Sequence, residues 1–499
     1  MLVKKLSVLL LLLLPVIFII AVIAAGCAEN GGAAERTNQD IAETEAAEEK
    51  DVYDERRRIS DELPERDFDG YNFTVYLRME ENNKEDFVAE TETGEIVEDA
   101  VYRRNLEVSE RFNIKINFNF DTSNNTTYNT TAVNAILAGE DINDVLGLHG
   151  AFAFNYAKAG YLIDWKTGMP YNNLDKPWWD RDFSDNMAIA NRLFAMTGDI
   201  SHLSIGDTFC LIFNKNLFVQ YGIEYPYQSV LDGTWTFDKF AQIVKDSSLD
   251  LNGDGRQTPG EDLFGMTSGI WGTPVQAFYM AGDRVITIDG EGVPSLTVYN
   301  ERTINIFNRF FDLVGSSNFY LAGYHPAYDG NMFRNNLSMF THASMLSLVN
   351  LRDMDKDIGI IPYPKFDGSA EKYYSLVDAG QNIFAVPLIA ADLERTSIII
   401  EALAAEGYRN VVPVFYEQAL QVKYARDDDS AGMLDIIRDG RIFDYGYFDA
   451  TVSWDLSYIG RNLVDHANHE FTSFYSAREE MAKKNLAELY EQYLMMEIY

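Results

Sequence analysis

The chain has 499 residues, 47% hydrophobic and 24% charged, which excludes a disordered or fibrous protein and suits two or three folded units. Its 77 acidic residues against 41 basic ones leave a formal net charge of −36. A field of that sign repels phosphate backbones and anionic head groups, so no nucleic-acid partner is expected.

In the first 26 residues, Lys4 and Lys5 precede a long apolar run that closes on Ala24-Ala25-Gly26-Cys27. A basic start with small residues at the end predicts a secretory signal, and a run of this length would also serve as an uncleaved membrane anchor. The cysteine directly after Ala-Ala-Gly resembles a bacterial lipobox, where the thiol is acylated. Cys27 is therefore the expected lipidation site, with the rest of the chain on the extracellular face of the cytoplasmic membrane. The other cysteine, Cys210, lies in the apolar run "FCLIF" and is expected to be a buried thiol. There is no CxxC, no zinc spacing and no disulfide framework.

Residues 27–67 are small, polar and acidic, the composition of a flexible spacer. Ordered sequence starts near "DFDGYNFTVYLRM", where Phe73, Val75 and Leu77 alternate as in a strand. An amphipathic helix, "EDAVYRRNLEVSERFN", runs directly into a second alternating strand, "IKINFNF". Strand, helix, strand opens an α/β lobe with parallel pairing. A helix ending near Gly139, a buried strand "INDVLGLHG" and the strand–turn–helix "FCLIFNKNLFVQYGI" follow. "WTFDKFAQIVKDSS", "TINIFNRFFDLVG" and "TSIIIEALAAEGYRNVV" read as further helices, and a Ser476/Glu479 capping box predicts the start of the last one. The fold class is α/β with more than one lobe.

One motif carries chemistry on its face. In "DLNGDGRQTPGED", Asp250, Asn252 and Asp254 alternate, Gly255 follows, and Glu261 comes six residues later. This is the spacing of a calcium loop, with Arg256 supplying its carbonyl oxygen and Glu261 a bidentate carboxylate. Asp262 would replace Glu261 in a loop one residue longer, and a solvated acidic turn is the competing reading. The downstream "LFGMTSGIWGTP" is too rich in glycine for an exiting helix, so a sensor's opening motion has no moving part here. The expectation is structural Ca2+, a brace.

Further stretches carry a family resemblance. The lipobox, "IFNKNLF" at Asn214 and Lys215, "DGTWTFDKF", "FRNNLSMFTHASM" followed by "DIGIIPYPKFDG", and "AVPLIAADLERTSIIIEALA" resemble extracellular solute-binding proteins of family 1. These are lipoprotein receptors of carbohydrate ABC importers. The order holds from about residue 68 to the C-terminus. "NNLSMFTHASM" departs from the family's Gly-Lys-Ala-Ala-Met, and the C-terminal part is longer than in short monosaccharide receptors.

The resemblance implies a two-lobed periplasmic-binding-protein type II fold hinged on crossing strands. By analogy, lobe one is 68–205 plus 338–377 and lobe two is 206–337 plus 378–499, with crossings near "SIGDTFC", "LSMFTH" and "LVDAG". It further implies a monomer that holds a carbohydrate, an oligosaccharide by expectation, and delivers it to ABC permease subunits.

A sugar offers apolar C–H faces and a rim of hydroxyls, so its cleft needs aromatic plates and carboxylates or amides. Aromatics beside glycine, proline or polar residues mark the candidates: Trp179, Trp271, Tyr324 and Trp454 as plates. Asp207 and Asp378, at the first and third crossings, are candidate hydroxyl acceptors. Two other classes stay open. A polysaccharide-degrading enzyme would need paired carboxylates, which 77 acids supply without identifying any. "HANHE" matches neither metalloprotease motif. An oligopeptide receptor on a similar scaffold is the third reading.

Overall fold

The computed structural model describes residues 55–78, 84–121, 130–323, 330–351, 354, 356–424, 427–465 and 470–496. Two compact units divide at Arg58/Ile59; of the first, only a helical turn at 55–58 is described. The signal, Cys27 and most of the spacer lie outside the described residues. None of the described helices is long and apolar enough to cross a membrane. All that follows concerns the unit from Ile59 onward.

Its described residues form thirteen strands: β1 (Tyr71–Arg78), β2 (Ile114–Asp121), β3 (Val145–His149), β4 (Phe209–Asn214), β5 (Phe264–Ser268), β6 (Ile286–Ile288), β7 (Pro294–Leu296), β8 (Phe319–Leu321), β9 (Ser338–Ser344), β10 (Ile358–Ile361), β11 (Ser375–Leu376), β12 (Asn382–Ala385) and β13 (Arg441–Ile442). The first sheet has the order β12-β3-β1-β2, the second β10-β4-β9-β5-β8. Short pairs β6–β7 and β11–β13 complete the set.

The opening unit forms as its pattern predicts. Phe73, Val75 and Leu77 are fully buried, and β1 pairs parallel with β2 from Tyr71↔Ile114 to Arg78↔Asp121. The helix Ile96–Phe112 joins them and stops at Asn113, a left-handed cap (φ 49°) whose N–H bonds Ser109 O. Asparagine tolerates that conformation, which lets the chain enter β2 at once. In the second sheet β4 is buried along its whole length, Cys210 included, because β9 and β10 flank it and helices cover it. Burial raises the Cys210 thiol well above its usual range.

Strand pairing redraws the lobe boundaries. β9 sits between β4 and β5, and β10 pairs with β4, so 338–361 belongs to the second sheet and not to lobe one. β12 pairs antiparallel with β3 from Asn382↔His149, and the helix Leu393–Glu406 packs on Ile96–Phe112, so 382–406 belongs to lobe one. "LSMFTH" is therefore a central strand, not a crossing. Its apolar side chains (Met339 and Phe340, both 0% exposed) are buried in the sheet-two core. The chain returns to sheet two through Val412, Phe415 and Leu420, which pack with Cys210 and Ile212, and through the helix Asp428–Asp439, where Ser430 accepts the Ile360 N–H.

The expected capping box does not form either. Ser476 ends the helix Phe471–Ser476, and Glu479 pairs with Lys483 one turn into the helix Glu479–Met495.

Candidate functional site

The first and third expected crossings meet. Thr208 bridges Val377, the Asp378 N–H bonds the Asp207 carbonyl at 2.9 Å, and β11 lies parallel to β13 with Ser375↔Arg441. Both aspartates singled out from sequence thus stand side by side at the junction, Asp207 as the cap of the short helix Leu203–Gly206.

Asp378 is drawn into the junction itself. Its Oδ1 accepts the Gly380 N–H at 2.5 Å and its Oδ2 the Tyr447 hydroxyl at 2.9 Å. Arg78, at the end of β1, donates to the Gly380 carbonyl and ties the loop to the first sheet. Crowding by protein raises the Asp378 carboxyl, opposed by those two hydrogen bonds and by the Arg78 charge. On the same side, the His149 Nδ1 accepts the Ala151 N–H at 3.2 Å and caps the helix Gly150–Lys158. Burial and then the Arg78 charge hold His149 well below its usual range, so it is neutral, as an accepting nitrogen must be. Gly150 allows the close approach: a Cβ there would lie 2.6 Å from the Phe448 ring and 2.8 Å from the Ala379 carbonyl.

The second lobe supplies an aromatic wall. Trp271 follows β5, is half-buried, and meets Tyr458 edge-on at 5.2 Å. The Arg461 guanidinium lies over the Trp271 ring at 4.0 Å, near enough for a cation–π contact. Tyr458 meets Tyr447 edge-on at 5.7 Å, which links the wall to Asp378. Gly272, next in the chain, lets the Trp271 turn lie against His342, since a Cβ there would lie 2.6 Å from the His342 ring. Burial lowers His342 to about 3, and the neutral ring shares a 2.8 Å hydrogen bond with Tyr363.

The remaining sequence candidates separate. Trp179 is not a plate but core: it is 4% exposed, packs edge-on against Trp165 at 5.5 Å, and donates its indole N–H to Glu401. Trp454 is 47% exposed, with φ 53° at Trp454 and 62° at Asp455. Two successive non-glycine residues in the left-handed region cost on the order of 1 kcal/mol each and hold the ring out from the loop that leads to Tyr458. Tyr324, His466 and His469 lie outside the described residues. Tyr447, Tyr458 and Arg461 are not among the sequence candidates, although Tyr458 lies four residues after Trp454. A groove of about 690 Å³ beside Ala487–Met496 and another of about 570 Å³ beside β2 do not border this wall.

In the acidic loop, Asp250 accepts the N–H groups of Gly253 and Gly255, Asn252 that of Asp254, and Asp254 that of Arg256. Glu261 takes the Asn252 amide at 3.0 Å. Asp262 closes the loop mechanically: it is fully buried and accepts the Leu251 and Thr258 N–H groups at 2.8 and 2.7 Å. β5 follows where an EF-hand would need its second helix. Among the described residues no three His, Cys, Asp or Glu side chains are gathered closely enough to hold a metal.

No protein-family model and no curated protein sequence matches the chain. Solved structures do. The ABC substrate-binding protein Lmo0181 from Listeria monocytogenes, in complex with cycloalternan, matches with a TM-score of 0.51 at 14% identity, covering 86% of this chain and 100% of that one. A cyclo/maltodextrin-binding protein complexed with maltotetraose matches with a TM-score of 0.54 at 12% identity, covering 85% and 97%. A solute-binding protein from Thermotoga lettingae bound to α-D-tagatose matches with a TM-score of 0.51 at 13% identity, covering 84% and 100%. The chain has the two-lobed α/β fold of these ABC sugar-binding proteins.

Proposed function

We propose that the chain is a membrane-tethered extracellular receptor that binds a carbohydrate between its lobes and passes it to an ABC permease. The observation that carries this reading is the half-buried Trp271–Tyr458 pair beside the junction where the crossing strands meet, on a fold whose solved likenesses hold sugars. Trp271 and Tyr458 would take the apolar faces of the sugar. The Asp207 side chain would accept from its hydroxyls. Asp378 would hold the junction, because both its oxygens already receive internal donors. Binding is the whole mechanism: a ligand touching both lobes favours the closed arrangement by its differential affinity for it. Tethering through Cys27 would keep the receptor near its permease.

The acidic loop fits a hard cation in its chemistry, since every side chain at the alternating positions offers oxygen. Asp250, Asn252, Asp254, the Arg256 carbonyl and Glu261 would hold Ca2+. The ion would brace the passage from the helix Phe237–Asp246 into β5.

A thermal-shift screen of the full chain with maltotetraose, cyclic glucans, tagatose and oligopeptides tests the reading, with each hit recovered and weighed by mass spectrometry. Saturable stabilisation by a sugar that returns intact is the expected result. A sugar recovered cleaved would replace the receptor with an enzyme, and stabilisation by peptide alone would move the ligand class.

A further inference from the structure

Two acidic side chains on one short segment of the first lobe reach across to two arginines of the second. Asp180 and Asp182 stand at the start of the helix Arg181–Met187. That segment belongs to sheet one: the Asp180 N–H bonds Thr197 O, and Met196 N–H bonds Phe384 O on β12. Arg441 opens β13, directly after the helix Asp428–Asp439 that contacts β10 of sheet two. Arg284 follows the helix Thr273–Tyr279, which follows β5 of that same sheet.

The contacts converge on residues 441–443. Arg441 pairs with Asp180 Oδ2 at 2.9 Å and donates to the Ser204 carbonyl at 3.0 Å, on the helix that begins the first crossing. Arg284 donates to both Asp182 oxygens at 2.8 and 3.0 Å and to the Phe443 carbonyl at 2.6 Å. The Phe443 N–H closes the ring on Asp182 Oδ2 at 3.0 Å. Phe183, directly after Asp182, packs edge-on against Phe443 at 5.3 Å and Phe448 at 5.8 Å. Asp180 is bound from both sides, because its Oδ1 also caps the helix through Phe183 N–H.

Exposure decides that this is more than surface decoration. The arginine side chains are 21% and 20% exposed, Asp180 only 6% and Asp182 39%, so solvent screens the Asp180–Arg441 pair less than an exposed one, while the more open Asp182–Arg284 pair relies on its two-oxygen geometry. Both arginines also satisfy main-chain carbonyls, which fixes their planes and adds direction to the charge.

We propose that Asp180–Arg441 and Asp182–Arg284 form an interlobe latch, with the arginines as positioning residues that set the angle between the two sheets in the absence of ligand. They touch no part of the aromatic wall, and the latch does not depend on what the receptor binds.

The test needs no ligand and therefore fails or succeeds apart from the sugar reading. Nitroxide labels are placed on Leu137→Cys and Val219→Cys, 64% and 70% exposed on the two lobes, in full chain carrying Cys27→Ser; buried Cys210 stays unlabelled. Pulsed electron–electron resonance then reads the distance between lobes. With Arg284→Gln and Arg441→Gln together, the distribution is expected to broaden and shift, while Arg284→Lys with Arg441→Lys returns most of the way because the charge is kept. An unchanged distribution in the glutamine variant overturns the latch, as does a lysine variant displaced as far as the glutamine one. If the glutamine variant loses its cooperative melt, Asp182→Asn removes one charge, keeps an acceptor for Phe443 N–H, and is read the same way.

Discussion

Two tryptophan sites in this molecule share a sequence signature and part company in three dimensions. "DKPWWDRD" and "SGIWGTP" both set tryptophan among polar or turn residues, which marks a ring outside the periodic core. Trp271 in the second is half-buried at the lobe junction, under Arg461 and against Tyr458. Trp178 and Trp179 in the first are core, and the reason is one carboxylate. Glu401, fully buried on the helix Leu393–Glu406, accepts both indole N–H groups at 2.9 Å, the Asn172 amide at 2.9 Å and the Asn173 N–H at 3.3 Å. A polar neighbourhood in sequence therefore does not tell a solvent-facing aromatic from one whose polar edge is satisfied inside.

The largest effect that would break this contrast lies at Glu401. Glu401→Ala leaves the two buried indole N–H groups without an acceptor and removes the bonds to the more open Asn172 and Asn173, and the expected loss is about 4 kcal/mol of unfolding free energy, read by urea denaturation. A loss under about 1 kcal/mol would mean the tryptophans are not held by this carboxylate. Acidity supplies the next effect. Burial raises Glu401 from 4.5 to about 7 against its four hydrogen bonds. Oε1 accepts only Trp178, so it retains a lone pair for the proton. The folded chain then binds more protons than the unfolded one between those values, and this group's contribution to stability declines as pH rises through the window. The shift is worth about 3 kcal/mol. Unfolding free energies at pH 5 and pH 8, compared between the wild type and Glu401→Gln, isolate it from other carboxyls. Equal pH slopes in the two proteins would falsify the assignment.

The other half of the contrast is sharpened at Trp271. Trp271→Ala is expected to leave the melting temperature nearly unchanged and to lower affinity for the sugar identified by the screen about 10-fold, the loss of one aromatic face. Gly272→Ala reaches the same wall indirectly, because its Cβ would press on His342 and displace the Trp271 loop. Isothermal titration should show a smaller loss, about 5-fold. If Gly272→Ala binds as wild type, the loop has slack and the wall is not preformed.

Much of the scaffold was legible from local rules. The alternation in β1 and the apolar face of Ile96–Phe112 needed no distant information, and the resemblance carried the two-lobed plan. What failed was long-range. Whether β9 crosses between lobes or sits inside a sheet depends on its partners, β4 more than 120 residues earlier and β5 about 70, and a fully apolar strand reads the same either way. Tyr447 joins the site through a hydrogen bond to Asp378, 69 residues away, and Arg78 through one to Gly380, 302 away. Ser476 and Glu479 had capping-box spacing, but a helix already ended at Ser476.

The acidic loop holds the smallest effect and divides two roles that one motif merges. Asp262 does its work with backbone N–H groups, and these bonds hold its carboxyl below the usual range whether or not an ion is present. Glu261 bonds only the Asn252 amide on the exposed side of the loop, so its service to the fold without an ion is slight. Calcium at about ten times its dissociation constant would add about 1.4 kcal/mol. Glu261→Gln is then expected to abolish that calcium-dependent gain and leave stability in chelator unchanged. Asp262→Asn should do the reverse, lowering stability in chelator while keeping the gain. Differential scanning calorimetry with calcium and with chelator reads both. If Asp262→Asn alone removes the calcium response, the loop runs one residue longer and the buried carboxylate must turn from its amides to the ion.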